Sequence, residues 1–267
     1  MRIREIGLRA ASAIVIAPAA ILATWAGGGW FLMLMAVAAT LMAIEWGLMS
    51  QPEAANRIGA AVAAALLASI FAAFVGEMSL ALVLLVFGAV CAAFFARAIG
   101  VAALDAAYGA LYIGWPCVLL VWLRMTPEGL GWTVLLFAVA WSSDILAYLT
   151  GSLLKGPKLW PRFSPNKTWS GLAGGLAAGA GAGAVAAWVL DIGALNAAWG
   201  ALLGLAAALA TMAGDLWESA LKRRYGVKDA GNLIPGHGGL LDRVDGLMFA
   251  VVVVAAARLI VMLGGGG

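Results

Sequence analysis

Three aspartates carry the most chemical promise. In GDLWESALKRR, residues 214–224, Asp215, Glu218, Ser219 and Lys222 fall at i, i+3, i+4 and i+7, so a helix there presents all four on one face. A solvated helix end with a Glu218–Lys222 pair accounts for that spacing. A carboxylate metal ligand with basic groups beside it for phosphate accounts for it equally. In IPGHGGLLDRVD, residues 234–245, Pro235, Gly236, Gly238 and Gly239 form a loop that enters a helix. Such a loop can bring backbone N–H groups close to phosphate oxygens. Asp242 and Asp245 share a face at the start of that helix. They are either capping acids favoured by the helix dipole or ligands for Mg2+, which takes one or two carboxylates plus substrate phosphate. The meeting of Asp215 with this pair at one membrane boundary favours the metal. Arg243 points to another face and suits a phosphate or headgroup, and His237, the sole histidine, stands between glycines as a substrate contact or a structural hydrogen bonder. No second His or Cys lies nearby for zinc.

Two further stretches belong to the same picture. Asp144 sits in the apolar run SSDILAYLTGSLLK, residues 142–155, with Tyr148 and Gly151 at i+4 and i+7. A carboxylate inside a membrane helix is costly, so it marks a functional site or a helix–helix hydrogen bond. FSPNKTWSG, residues 163–171, reads as a loop opening a helix. Thr168 or Ser170 can cap that helix, and Lys167 is a point charge for phosphate or a membrane-side anchor. Glu45 interrupts the second apolar segment near its inner end and is expected to face the bundle.

The elements that must position these residues are helices in lipid. Of 267 residues, 64% are hydrophobic and only 11% charged, against about 25% charge in soluble domains. That excludes a large soluble core, which would have no polar coat. Apolar runs of membrane-spanning length recur. Nine segments are expected, roughly 10–26, 30–49, 58–75, 79–96, 106–123, 131–153, 171–190, 194–213 and 246–263. The first follows Arg2, Arg4 and Arg9 and is expected to be retained rather than cleaved. No strand alternation recurs, which argues against a β-barrel. The fold class is therefore an all-α polytopic membrane protein. Its organisation is expected as N-terminal transmembrane helices over 1–130 and a catalytic region over 131–267, with polar loops at 154–170 and 214–245. A cytoplasmic N-terminus and an outside C-terminus put fourteen of the sixteen Lys and Arg residues inside. Twelve tryptophans read as interface-belt residues, and Cys91 and Cys117 as inert packing residues.

The carboxyl-terminal polar stretch resembles the phosphatidate cytidylyltransferase family, also called CDP-diglyceride synthetase. The pattern runs through Ser219, Lys222–Arg223, Lys228–Asp229, Ile234–Pro235, His237–Gly238–Gly239, Asp242–Arg243 and Asp245 without a gap. The SPNKT stretch from Ser164 and the Asp144–Tyr148–Gly151 spacing are also similar to family motifs, and Ser170 departs from a usual Glu. The first ~130 residues carry similar hydropathy and no comparable motif. The resemblance implies transfer of CMP from CTP to phosphatidic acid at the inner membrane, giving CDP-diacylglycerol and pyrophosphate. It implies Mg2+ on Asp215 and Asp242 with Asp245 assisting, and has room for a second cation such as K+. Lys222, Arg223, Lys228 and Arg243 would then neutralise phosphates. Gly236–Gly239 and His237 would hold triphosphate. Asp144 would orient the polar cavity or a metal ligand, and Tyr148, Ser164 and Lys167 would meet substrate. A homodimer through Gly-rich helices is compatible with the sequence, and nucleic acid is not an expected partner. The competing readings are a CTP-dependent lipid-alcohol kinase and, in another class, a transporter relaying ions through Asp144 and Asp215. A transporter would more often show internal repeats, and none is seen. The Asp-Gly…Ala-Arg…Asp pattern of a CDP-alcohol phosphotransferase is absent.

Overall fold

In lipid, a chain must satisfy its own backbone N–H and C=O groups, and long apolar runs do so as helices. The computed structural model describes residues 18–190, 192, 195–231 and 238–264. A helical segment over residues 18–26 (α1) precedes α2 (Gly28–Ser50), a short 3-10 turn (Pro52–Ala54), α3 (Ala55–Phe74), α4 (Met78–Ala98) and α5 (Ala103–Met125). Then come α6 (Gly129–Leu154), β1 (Lys158–Trp160), β2 (Ser164–Thr168), α7 (Trp169–Val189), α8 (Ala197–Arg224) and α9 (Leu241–Gly264). Among the described residues, eight helices are long and apolar enough to cross a membrane. The chain is an all-α, multi-pass membrane protein.

Two stretches differ from the sequence expectation. The eighth segment was expected to end at 213, and α8 instead runs to Arg224. Leu216, Glu218, Leu221 and Lys222 are strong helix formers, so the helix continues past its apolar part. The last helix starts at Leu241, ahead of its apolar segment, so Asp242 and Asp245 stand in its first turns as expected. The stretch 154–170, expected as a loop, contains an antiparallel hairpin in which Lys158 faces Thr168 and Trp160 faces Ser164. Pro157, Pro161 and Pro165 bar a helix there, and two short strands pair the backbone instead.

The contacts divide the chain into two units, one running up to Met125 with Tyr225–Arg243, the other Thr126–Arg224 with the segment from Val244. In the first, Phe31, Trp46, Ile58, Leu66, Leu85 and Ile113 are fully buried among α2, α3, α4 and α5. Arg124, at the end of α5, donates to the carbonyls of Thr24 (2.8 Å) and Trp25 (3.1 Å). It thereby satisfies the C-terminal end of α1. Cys117 is buried as expected, whereas Cys91 is exposed on α4 rather than packed. Val83, Phe87 and Phe94 share its exposure, which suits a helix facing hydrocarbon.

In the second unit, α6, α7 and α8 pack through glycine. Gly171, Gly175, Gly179 and Gly183 recur every fourth residue on the buried face of α7. A Cβ on Gly183 would overlap the Gly200 carbonyl oxygen, and one on Gly204 the Gly179 carbonyl oxygen. Backbones approach this closely only when small residues line the seam. Gly204→Val is expected to lower stability by about 1–3 kcal/mol by prising α8 from α7, read as a lowered melting temperature in detergent. An unchanged melting temperature would mean the seam is loose. Arg258, buried near the end of α9, donates to the Pro127 carbonyl (2.6 Å), pairs with Glu128 (3.5 Å) and lies over the Trp132 ring at 5.3 Å.

Candidate active site

In the second unit, α6, the hairpin, α7 and α8 enclose a cavity of about 760 Å³. Asp144, Tyr148 and Gly151 all line it, so their i, i+4, i+7 spacing is one face of α6 turned to one space. Lys167 on β2 and Asp215 on α8 form an ion pair on its wall, both side chains only about a quarter exposed (24% and 27%). Asp144 lies within electrostatic reach of both. Thr168 caps α7, its hydroxyl accepting from the Gly171 N–H (3.1 Å), and this fixes the strand that carries Lys167. Between the two capping candidates the structure selects Thr168. The Ser170 hydroxyl donates to the Lys155 carbonyl and stands 3.1 Å from the Thr168 hydroxyl. The position that departs from the family pattern thus ties the end of α6 to the start of α7.

Asp245, on α9, shares its electrostatic surroundings with Asp215, Lys222 and Asp144. Gly246 and Gly214 allow this approach. A Cβ on Gly246 would stand 2.6 Å from the Thr211 methyl, and one on Gly214 would overlap the Asp245 carbonyl. Lys222 also pairs with Glu218 at 3.3 Å, the i, i+4 pair that the spacing allows. Asp245 and Asp215 are the two carboxylates of the expected metal set that this unit brings together. Among the described residues, no three His, Cys, Asp or Glu side chains stand close enough to hold one ion.

In the first unit, the polar segment is held from within. Glu45, fully buried on α2, accepts from the backbone N–H groups of Leu240 (2.7 Å) and Leu241 (2.8 Å). It caps α9 from 195 residues away. Asp242 accepts from the N–H of Ala230 (3.0 Å) and of Gly239 (2.9 Å), so its carboxylate closes the loop end to end. Glycine at 231 and 239 follows from Glu45. A Cβ at either position would come within 2.8–2.9 Å of that side chain. The Tyr225 hydroxyl donates to Asp105 (2.9 Å), which Gln51 also contacts at 3.3 Å, and Trp46 donates to the Asp105 carbonyl (2.9 Å). Trp46 packs against Tyr108, Tyr112 and Tyr225 with ring centroids 5.6–5.8 Å apart.

The remaining expected residues fall as follows. Gly238 adopts a left-handed backbone, φ 82°. Arg223 and Lys228 are exposed, as is Arg243 in the first turn of α9. Ser164 pairs with Trp160 in the hairpin and does not line the cavity. Gly236 and His237 lie outside the described residues. Sequence reasoning missed Lys155, Lys158, Ser152 and Asn166, which line the cavity. The two lysines had been counted only toward membrane orientation, and nothing local separates an anchor from a ligand. It also missed the hold of Glu45, for which the one signal was a carboxylate in an apolar helix.

Residues 7–261 match the family model described as the cytidylyltransferase family. A protein of Brucella abortus named phosphatidate cytidylyltransferase is 48% identical over 146 residues, 54% of this chain and 53% of that one. A Staphylococcus saprophyticus protein of the same name is 39% identical over 151 residues, 55% of this chain and 57% of that one. One from Staphylococcus aureus is 41% identical over 126 residues, 46% of this chain and 47% of that one. The chain spans about half the length of the curated relatives it matches.

Proposed function

The chain belongs to the cytidylyltransferase family, and from that premise we propose that it transfers CMP from CTP to phosphatidic acid in phospholipid biosynthesis. A phosphate oxygen of the lipid attacks the α-phosphorus of CTP. The bond from that phosphorus to the bridging oxygen breaks, and pyrophosphate leaves with the electron pair. CDP-diacylglycerol remains. The observation that carries this reading is the Lys167–Asp215 pair on the wall of a lysine-lined cavity, with Asp144 and Asp245 around it. A lipid phosphate is already anionic and needs little help from a base. Catalysis of this kind is positioning and charge neutralisation.

Mg2+ suits the donors present. Asp215 and Asp245 offer two hard carboxylates in one neighbourhood, and Mg2+ is commonly held by one or two carboxylates with substrate phosphate and water completing its shell. These two residues would hold the ion, which when bound would supply charge neutralisation at the reacting phosphates. Lys167, Lys155 and Lys158 neutralise phosphate oxygens within the cavity. Asp215 orients the Lys167 ammonium through their pair. Lys222, paired with Glu218 and within electrostatic reach of Asp245, supplies one positive charge beside two carboxylates. Asp242 is assigned to shaping the polar segment rather than to the ion, because its oxygens already accept two backbone N–H groups.

We place the cavity on the cytoplasmic side of the inner membrane, supported by the distribution of basic residues. Inside-out vesicles containing the protein and phosphatidic acid should convert added radiolabelled CTP to CDP-diacylglycerol, and right-side-out vesicles should not. Folded protein yielding no CDP-diacylglycerol in either orientation would overturn the reaction. Activity only in right-side-out vesicles would overturn the orientation alone.

A further inference from the structure

The hairpin does more chemistry than closing the cavity requires. The run from Gly151 to Ser170 contains no acidic residue and four basic ones, Lys155, Lys158, Arg162 and Lys167. Lys167 is turned inward onto Asp215. The other three are exposed. Beside them stand apolar side chains that the fold leaves uncovered: Leu153 is 78% exposed, Leu154 71%, Trp160 47% and Trp169 55%. Trp160 meets Phe163 edge to face at 5.4 Å, and the Arg162 guanidinium lies over the Phe163 ring at 5.3 Å. The hairpin tip is therefore a braced aromatic patch with a fixed cation on it.

Aromatic rings and basic side chains side by side are what a membrane–water interface selects. The rings sit at headgroup depth, and the cations attract anionic lipid. Water alone would not favour four exposed large apolar side chains around three cations that have no acidic partner among the described residues. Lys155 and Lys158 also line the cavity, so the patch continues into it without a break.

We propose that the β1–β2 hairpin, with Leu153, Leu154 and Trp169 around it, is a docking surface for anionic phospholipid, from which a lipid phosphate is passed to the cavity by way of Lys158 and Lys155. The occupant is a lipid headgroup rather than a soluble phosphate, because the apolar side chains bracketing the cations need hydrocarbon. That the lipid passed on is phosphatidic acid rests on the proposed reaction. The docking itself does not.

The test uses the full chain in phosphatidylcholine nanodiscs. A photoactivatable phosphatidylglycerol probe should label the hairpin well above a phosphatidylcholine probe. Arg162→Gln should cut that labelling about five-fold, the change expected when one basic residue near the surface is lost. Neither Arg162 nor Trp160 lines the cavity. Arg162→Gln and Trp160→Ala should therefore raise the KM for phosphatidic acid by a similar factor, leaving kcat and the KM for CTP unchanged. Equal labelling by the two probes overturns the docking surface, whatever the turnover. So do wild-type lipid KM values in both variants, or a change confined to the CTP KM. Selective labelling in protein that makes no CDP-diacylglycerol overturns the proposed reaction and leaves the docking surface standing.

Discussion

Asp245→Asn is expected to abolish turnover, by a factor on the order of 10³, while leaving the protein as stable as before or more so. Asp245 stands in the field of two other carboxylates, Asp215 and Asp144, with Lys222 the nearby counter-charge. Like charges held together cost free energy, and a fold tolerates the cost where a cation or a reaction uses it. Removing one charge relieves repulsion, so the melting temperature should hold or rise. If Asp245 were only an acid favoured by the helix dipole, the variant would lose stability and keep its activity. Ligand linkage supplies a readout without turnover. Mg2+ should raise the melting temperature of the wild type, as any ligand binding only the folded state does, and should not raise that of Asp245→Asn. Asp215→Asn should behave alike toward Mg2+. It also strands Lys167, so Lys167→Met in that background should recover stability and no activity. A double variant that recovers activity would reduce the Lys167–Asp215 pair to a structural tie.

Much of this site was legible because helices are periodic. Asp144, Tyr148 and Gly151 were set on one face by spacing, and all three line the cavity. Among the described residues the hydropathy segments are helices, because lipid leaves the backbone little alternative; the expected first segment lies outside them up to residue 17. Illegible were the pairings across long loops. Lys167 and Asp215 were each singled out for phosphate or metal, but their partnership spans 48 positions, and no local pattern encodes it. The hairpin was missed because three prolines in a basic stretch read as a loop, and strands this short have too few residues to alternate. Asp242 and Asp245 looked equivalent from their spacing. They diverge because Ala230 and Gly239 bring N–H groups to Asp242, whereas Asp245 is surrounded by charged side chains.

The glycines of the polar segment bear on what that segment does. A Gly-rich loop invites the reading that backbone N–H groups are bared for phosphate. At Gly239 and Gly231 the geometry supplies another cause, since any Cβ would strike Glu45. Glu45→Ala removes both acceptors of the Leu240 and Leu241 N–H groups and leaves a cavity. Each buried donor left unsatisfied costs about 1–3 kcal/mol, so the variant should be severely destabilised. Glu45→Gln keeps the volume and one acceptor, and should lose about half as much. Faster hydrogen exchange at Leu240 and Leu241 should accompany both. Gly239→Ala should destabilise the wild type through its clash with Glu45, and cost far less in the Glu45→Ala background, where the obstacle is gone. Such a cycle separates coupled from independent sites. If the melting-temperature losses instead add, Gly239 does not answer to Glu45. With the predicted coupling, the glycine serves the buried carboxylate first, and the polar segment owes its shape to a residue on the second helix.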